Sequence, residues 1–127
     1  MATDFAVFAQ LAKNPKITWA MTAHIIFQAI DPIAPGTWSK TAIEFIRHQI
    51  GFKGLLVTDD ICMFALHSSI KPLTKLTEDN ILHQKFIHSL CDAAKKSLVA
   101  GCNVVLHCSG NLPEMIAIYD SVWESMP

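Results

Sequence analysis

Three short apolar runs restrict what this chain can become: TWAMTAHIIF at 18–27, LLVT at 55–58 and NVVLHC at 103–108. They are rich in β-branched residues and lack the strict alternation of a half-exposed strand, so each reads as a strand buried on both faces. Helical signals fall between them. Pro32, Pro35 and Gly36 mark a loop, Ser39 offers an N-cap, and Ile43, Ile46 and Ile50 share one face of a helix that Gly51 stops. The polar connection KPLTKLTEDN at 71–80 leads into a long helix capped by Thr77, with Glu78 and Asp79 early, Lys95 and Lys96 late and Gly101 past its end. After the third run, SGN makes a loop, and Pro113 with Glu114 opens a last helix toward Tyr119 and Trp123. The segment before Lys13 supplies a leading helix.

Apolar strands alternating with helices describe successive βα units, so the expected class is α/β with a parallel sheet. Residues 1–127 are expected to form a single domain, since a chain that is 51% hydrophobic and 17% charged can bury one core. The net charge of −1 points to no nucleic-acid partner. The start of the chain has Asp4 and no basic leader, and no apolar run nears the roughly 20 residues of a membrane helix. A soluble, cytoplasmic protein with no membrane partner is therefore expected. Cys62, Cys91, Cys102 and Cys108 lie in apolar segments without a CxxC pair, which suits reduced, buried thiols.

In an α/β fold the loops after the strands gather on one face, and chemistry concentrates there. Three segments meet that description: His24 with QAIDP, Asp59 and Asp60 with ICM, and His107 with CSGN. An acid at a strand end can hold a metal, bind a sugar hydroxyl, act as a nucleophile or cap a turn. Neighbours in a strand point to opposite faces, so at most one of Asp59 and Asp60 faces a pocket, and the residues alone leave open which. His24 and His107 each read as a core histidine or a pocket residue. Cys102, His107 and Cys108 lack a zinc-finger spacing, and His83 and His88 miss the i,i+4 spacing of an ion clamp, so no metal is expected. His48 and His67 sit among polar neighbours and read as surface residues. A GxSxG elbow, a phosphate-binding glycine loop and a Cys/His catalytic pattern are all lacking.

The segments WAMTAHIIFQAIDP, WSKTAIEFIRHQIGFKGLLVTDDICMFAL and SLVAGCNVVLHCSGNLPEM, in that order, resemble the later part of the glycoside hydrolase family 3 β-N-acetylglucosaminidases of bacterial peptidoglycan recycling. GFKGLLVTDD with Met63 is the most specific piece. The resemblance implies the C-terminal portion of a (β/α)8 barrel, about three βα units plus the leading helix. It also implies retaining hydrolysis of terminal non-reducing N-acetyl-β-D-glucosamine from muropeptides, without a cofactor. Asp59 would be the nucleophile, with Asp60, His24 and Met63 supporting it or near the substrate. The family's acid/base histidine and its sugar-binding Lys-His-Phe-Pro-Gly-His-Gly type segment have no match here, so the chain is expected to enter the barrel after them.

Two further readings follow. A chain with about three of the eight strands of a barrel is also read as a non-catalytic remnant or split-barrel subunit. Its apolar interior residues, such as Val57 and Val105, would then invite self-association or a complementing fragment. A sugar- or phosphate-binding module without chemistry is the third. Phe64, where the family often has a small residue, would crowd the pocket if it pointed inward, and HSSIKPLTKL at 67–76 departs from the expected connection.

Overall fold

The computed structural model of the chain describes residues 3–67 and 81–125. Three strands, β1 (Trp19–Met21), β2 (Leu55–Asp60) and β3 (Val104–Leu106), form a parallel sheet in that order, with four helices between and around them. These are α1 (Asp4–Leu11), α2 (Lys40–Phe45, prolonged by a π turn Ile46–Ile50), α3 (Ile81–Ala100) and α4 (Leu112–Trp123). The α/β class is as the alternating pattern requires. The caps and stops also follow the sequence: Ser39 Oγ accepts from Ala42 N at 3.0 Å, Asn111 Oδ1 accepts from Glu114 N at 3.2 Å, and Gly51 and Gly101 take positive φ of 80° and 114°. The proposed cap Thr77, with Glu78 and Asp79, lies outside the described residues. Lys96 sits more than a turn before the end of α3 and lies over the Trp38 ring at 5.0 Å.

The first strand is shorter than its apolar run. Thr22 N still reaches Val57 O, but Gly36 N bonds to Ile25 O and Thr37 N to Ala23 O. The loop at 32–37 thus takes the backbone partners that would have continued the strand, and residues 24–27 leave the sheet. Burial on both faces is also overturned. Leu56 and Thr58 are buried against the helices, while Trp19, Met21 and Leu55 are 53%, 57% and 41% exposed on the other face. Val105 faces the helices, among Ile118, Val122 and the Ile61, Leu90 and Phe86 cluster, because Val104 is the partner of Val57 and the next residue alternates to the other face.

The lower end of the sheet is closed by Arg47. Its Nη1 donates to Phe52 O and Gly54 O (3.2 and 2.6 Å) and its Nη2 to Asn103 Oδ1 (2.8 Å), while Leu56 N donates to the same Asn103 oxygen (2.9 Å). Around this knot lie Ile43, Phe52, Leu56, Ala100 and Cys102, a second small core. Gly54, just before β2, lies against Thr18, just before β1. A Cβ there would overlap the Thr18 carbonyl oxygen, the acceptor for Leu55 N, and come within 2.6 Å of the Phe52 ring. Gly54→Ala is therefore expected to destabilise the fold by about 2 kcal/mol or more, read as a lower urea midpoint. A midpoint within experimental scatter of the parent would show that the two backbones can part without cost.

Candidate functional site

The upper end of the sheet gathers all three loops around one residue. Asp60 ends β2, and its Oδ1 accepts from Cys62 N at 3.0 Å in its own loop and from Cys108 N at 3.1 Å in the loop after β3. Its main-chain carbonyl accepts from Met63 N at 3.1 Å and faces His24 Nε2, from the loop after β1, at 3.0 Å. Burial pushes the Asp60 carboxyl up, but hydrogen bonds from the Cys62 N–H and thiol and from Cys108 N–H, with the His107 ring nearby, outweigh it and hold it below the usual range.

Asp59 has a different setting. By alternation it shares the open face of β2 with Leu55 and Val57, whereas Asp60 follows Leu56 and Thr58. Its Oδ1 accepts from Asp60 N at 2.8 Å, and its other oxygen has no hydrogen-bond partner among the described residues. The carboxylate is thus oriented at one oxygen and available at the other. Sequence alone left the two acids equivalent; the register distinguishes them.

His24 is half-buried between two partners. Nδ1 lies 2.9 Å from Thr37 Oγ1, which lies 3.0 Å from Thr22 Oγ1. A neutral ring with its proton on Nε2 satisfies the whole chain: Thr22 donates to Thr37, Thr37 to Nδ1, and Nε2 to Asp60 O. Both threonines are buried, and sequence reading gave neither a role. Met63 is 44% exposed at the rim. Phe64 turns to the helical side, 6.4 Å from the Phe86 ring, and the expected crowding through an inward Phe64 does not arise there.

The reading of His67 as a surface residue needs correction. His67 is 1% exposed, with Nε2 2.6 Å from Ile61 O, Nδ1 2.7 Å from Ser89 Oγ and its edge on Phe86. Burial lowers its pKa against the pull of the Ile61 carbonyl. Its polar sequence neighbours hid a partner 22 residues away. His83 is likewise buried. Cys108, expected inside, is exposed, while burial pushes the Cys62 thiol up to about 11.

His107 ends β3 on the helical side with Glu114, its Nε2 3.0 Å from Glu114 Oε2. Glu114 is 4% exposed in the first turn of α4, where the helix dipole favours a carboxylate. Sequence reading treated it only as a helix opener. The signal was its place seven residues after a strand-end histidine, which one turn of chain brings back.

The Asp60 clamp has a measurable consequence. A carboxyl held low in the fold adds stability above its unfolded pKa and loses it as pH falls through the folded value. Asp60→Asn keeps an acceptor for both N–H groups, so it is expected to flatten the stability loss below about pH 4. Asp60→Ala strands both donors and should cost about 2 kcal/mol at pH 7. Denaturation at pH 7 and pH 3 checks both; an unchanged acid response in Asp60→Asn would remove Asp60 as its source.

With this geometry in view, the comparisons with known proteins are informative. The family pattern described as the glycosyl hydrolase family 3 N terminal domain matches residues 1–125. A beta-hexosaminidase of Nitrosomonas eutropha is 34% identical over 89 residues, 70% of this chain and 20% of the relative. One from Alkalilimnicola ehrlichii is 33% identical over 114 residues, 89% of this chain and 26% of the relative. The chain thus spans about a fifth to a quarter of the curated relatives it matches. Among solved structures, zinc-bound CbsA from Thermotoga neapolitana superposes with a TM-score of 0.65 at 25% identity, over 92% of this chain and 21% of CbsA. Beta-N-acetylhexosaminidase from Beutenbergia cavernae gives 0.56 at 25% identity, over 82% of this chain and 25% of that one. No described helix is long and apolar enough to cross a membrane. By the match along almost its whole length, the chain belongs to glycosyl hydrolase family 3, within that family's N-terminal domain.

Proposed function

We propose that residues 1–127 form one unit, an arc of about three βα units in a (β/α)8 barrel, and that this arc carries the nucleophile of a retaining β-N-acetylglucosaminidase. The observation that carries the reading is Asp59, at the upper end of β2 on the open face, oriented through one oxygen with the other free among the described residues. That is the setting a nucleophilic carboxylate needs, since little reorganisation remains for the transition state. The relatives' names support the glycosidase class; the proposed substrate, a terminal non-reducing N-acetyl-β-D-glucosamine on a peptidoglycan fragment in the cytoplasm, rests on the resemblance of the sequence segments alone.

In this mechanism Asp59 attacks the anomeric carbon and expels the aglycone oxygen, giving a glycosyl ester. Water then attacks the same carbon and releases the carboxylate, and two inversions leave the β configuration unchanged. Asp60 and His24 are positioning residues. The first ties the nucleophile loop to the loop after β3, and the second, backed by Thr37 and Thr22, fixes the Asp60 carbonyl. Met63, exposed at the rim, is the residue we read as lying near the substrate. The resemblance puts the proton donor on an earlier strand of the family's barrel, outside the segments matched here.

A second reading, a non-catalytic remnant or split-barrel subunit awaiting a complementing piece, draws on the exposed Trp19, Met21 and Leu55 beside the apolar cleft under α1. Size-exclusion chromatography with a parallel assay on an aryl N-acetyl-β-D-glucosaminide separates the two. The split reading expects self-association or rescue by the earlier strands; a monodisperse, active monomer would overturn it. For the enzymatic reading, Asp59→Ala in a chain supplied with those strands is expected to lose three powers of ten or more in turnover, roughly 4 kcal/mol of barrier. Undiminished turnover would remove Asp59 from the role.

A further inference from the structure

On the helical side of the same strand ends, three side chains from separate elements converge. Cys62 comes from the loop after β2, His107 from the end of β3 and Glu114 from the first turn of α4, and their ligand atoms all lie within 4.8 Å of one another. Sequence spacing hides this set, since 45 residues separate Cys62 from His107 (107 − 62) and the cysteine nearest the histidine, Cys108, points elsewhere. From this geometry we infer that Cys62, His107 and Glu114 form a binding site for one divalent transition-metal ion of the zinc type.

The donor set selects the class of ion. One thiolate, one imidazole and one carboxylate are the borderline-soft ligands that zinc accepts together, whereas magnesium and calcium require oxygen throughout. The geometry needs little adjustment. Around a tetrahedral zinc, ligand atoms stand about 3–3.6 Å apart. His107 Nε2 and Glu114 Oε2 are already 3.0 Å apart, and the sulfur has at most about 1 Å to close. The two side chains are only 8% and 6% exposed, so the ion would enter a site shielded from competing water ligands.

Hydrogen bonds fix the backbone around the three ligands. The Asp60 carboxylate binds Cys62 N and Cys108 N, which fixes the backbone at one ligand and next to another, and Asn111 caps α4 through Glu114 N. Ser109 Oγ donates to Glu114 Oε2 at 2.6 Å and lies 3.2 Å from His107 Nε2. It orients the carboxylate and the ring from outside the ligand set. An ion bound there deprotonates the thiol it ligates, and it joins the loops after β2 and β3 to α4 on the face opposite Asp59.

The test is titration of the untagged chain with zinc chloride and separately with cobalt chloride, read by calorimetry, absorbance and X-ray absorption at the metal edge. One equivalent is expected, with one sulfur in the zinc coordination shell and a thiolate-to-cobalt charge-transfer band. Cys62→Ser should abolish that band, and Glu114→Gln should weaken affinity at least tenfold, while Cys108→Ser leaves both unchanged. The X-ray absorption measurement on the unmodified chain keeps the inference falsifiable should Cys62→Ser fail to fold. No binding, coordination by oxygen and nitrogen alone, or a band that depends on Cys108 would each overturn it.

Discussion

The arrangement at the top of the sheet depends on what Asp60 accepts. A parallel sheet leaves its strand ends without hairpins, so nothing local joins the loops that follow them. In this chain the carboxylate and carbonyl of one residue do so, receiving donors from Cys62, Cys108, Met63 and His24. The partners lie as far as 48 residues away, and the acid's low pKa reflects the same hydrogen bonds. Asp59 is held in place because its neighbour is.

That coupling explains why two adjacent acids have such different surroundings. The pleat sends Asp59 to the open face and Asp60 toward the helices, and the slip in register beyond Val57, where Thr58 Oγ1 accepts from Leu106 N, carries β3 across to meet Asp60. Val104 lies opposite Val57, so Val105 and His107 fall on the helical side by alternation. Asp59 and the cluster of Cys62, His107 and Glu114 therefore lie on opposite sides of the strand ends.

Much of the fold was legible in local signals. Ser39, Gly51, Gly101 and the Pro113–Glu114 start each act through their own backbone, so their effect survives in any context that lets the helix form. Strand lengths and burial were not legible. The residues at 22–27 have strand composition, yet the return of the chain at Gly36 and Thr37 captured their hydrogen bonds. His67 lay among polar residues in sequence, and its burial is set by Phe86 and Ser89 of α3 packing against it.

The sequence by itself determined the α/β class, the helix cap at Ser39 and the stops at Gly51 and Gly101, the family and the location of the acid pair, because periodicity, capping and motif are properties of neighbouring residues. Only the tertiary structure decided which acid faces outward, that His24 supports Asp60 through its carbonyl, and that Cys62, His107 and Glu114 meet. Each of those depends on register between strands that no local signal encodes, and a shift of one residue would have exchanged the faces.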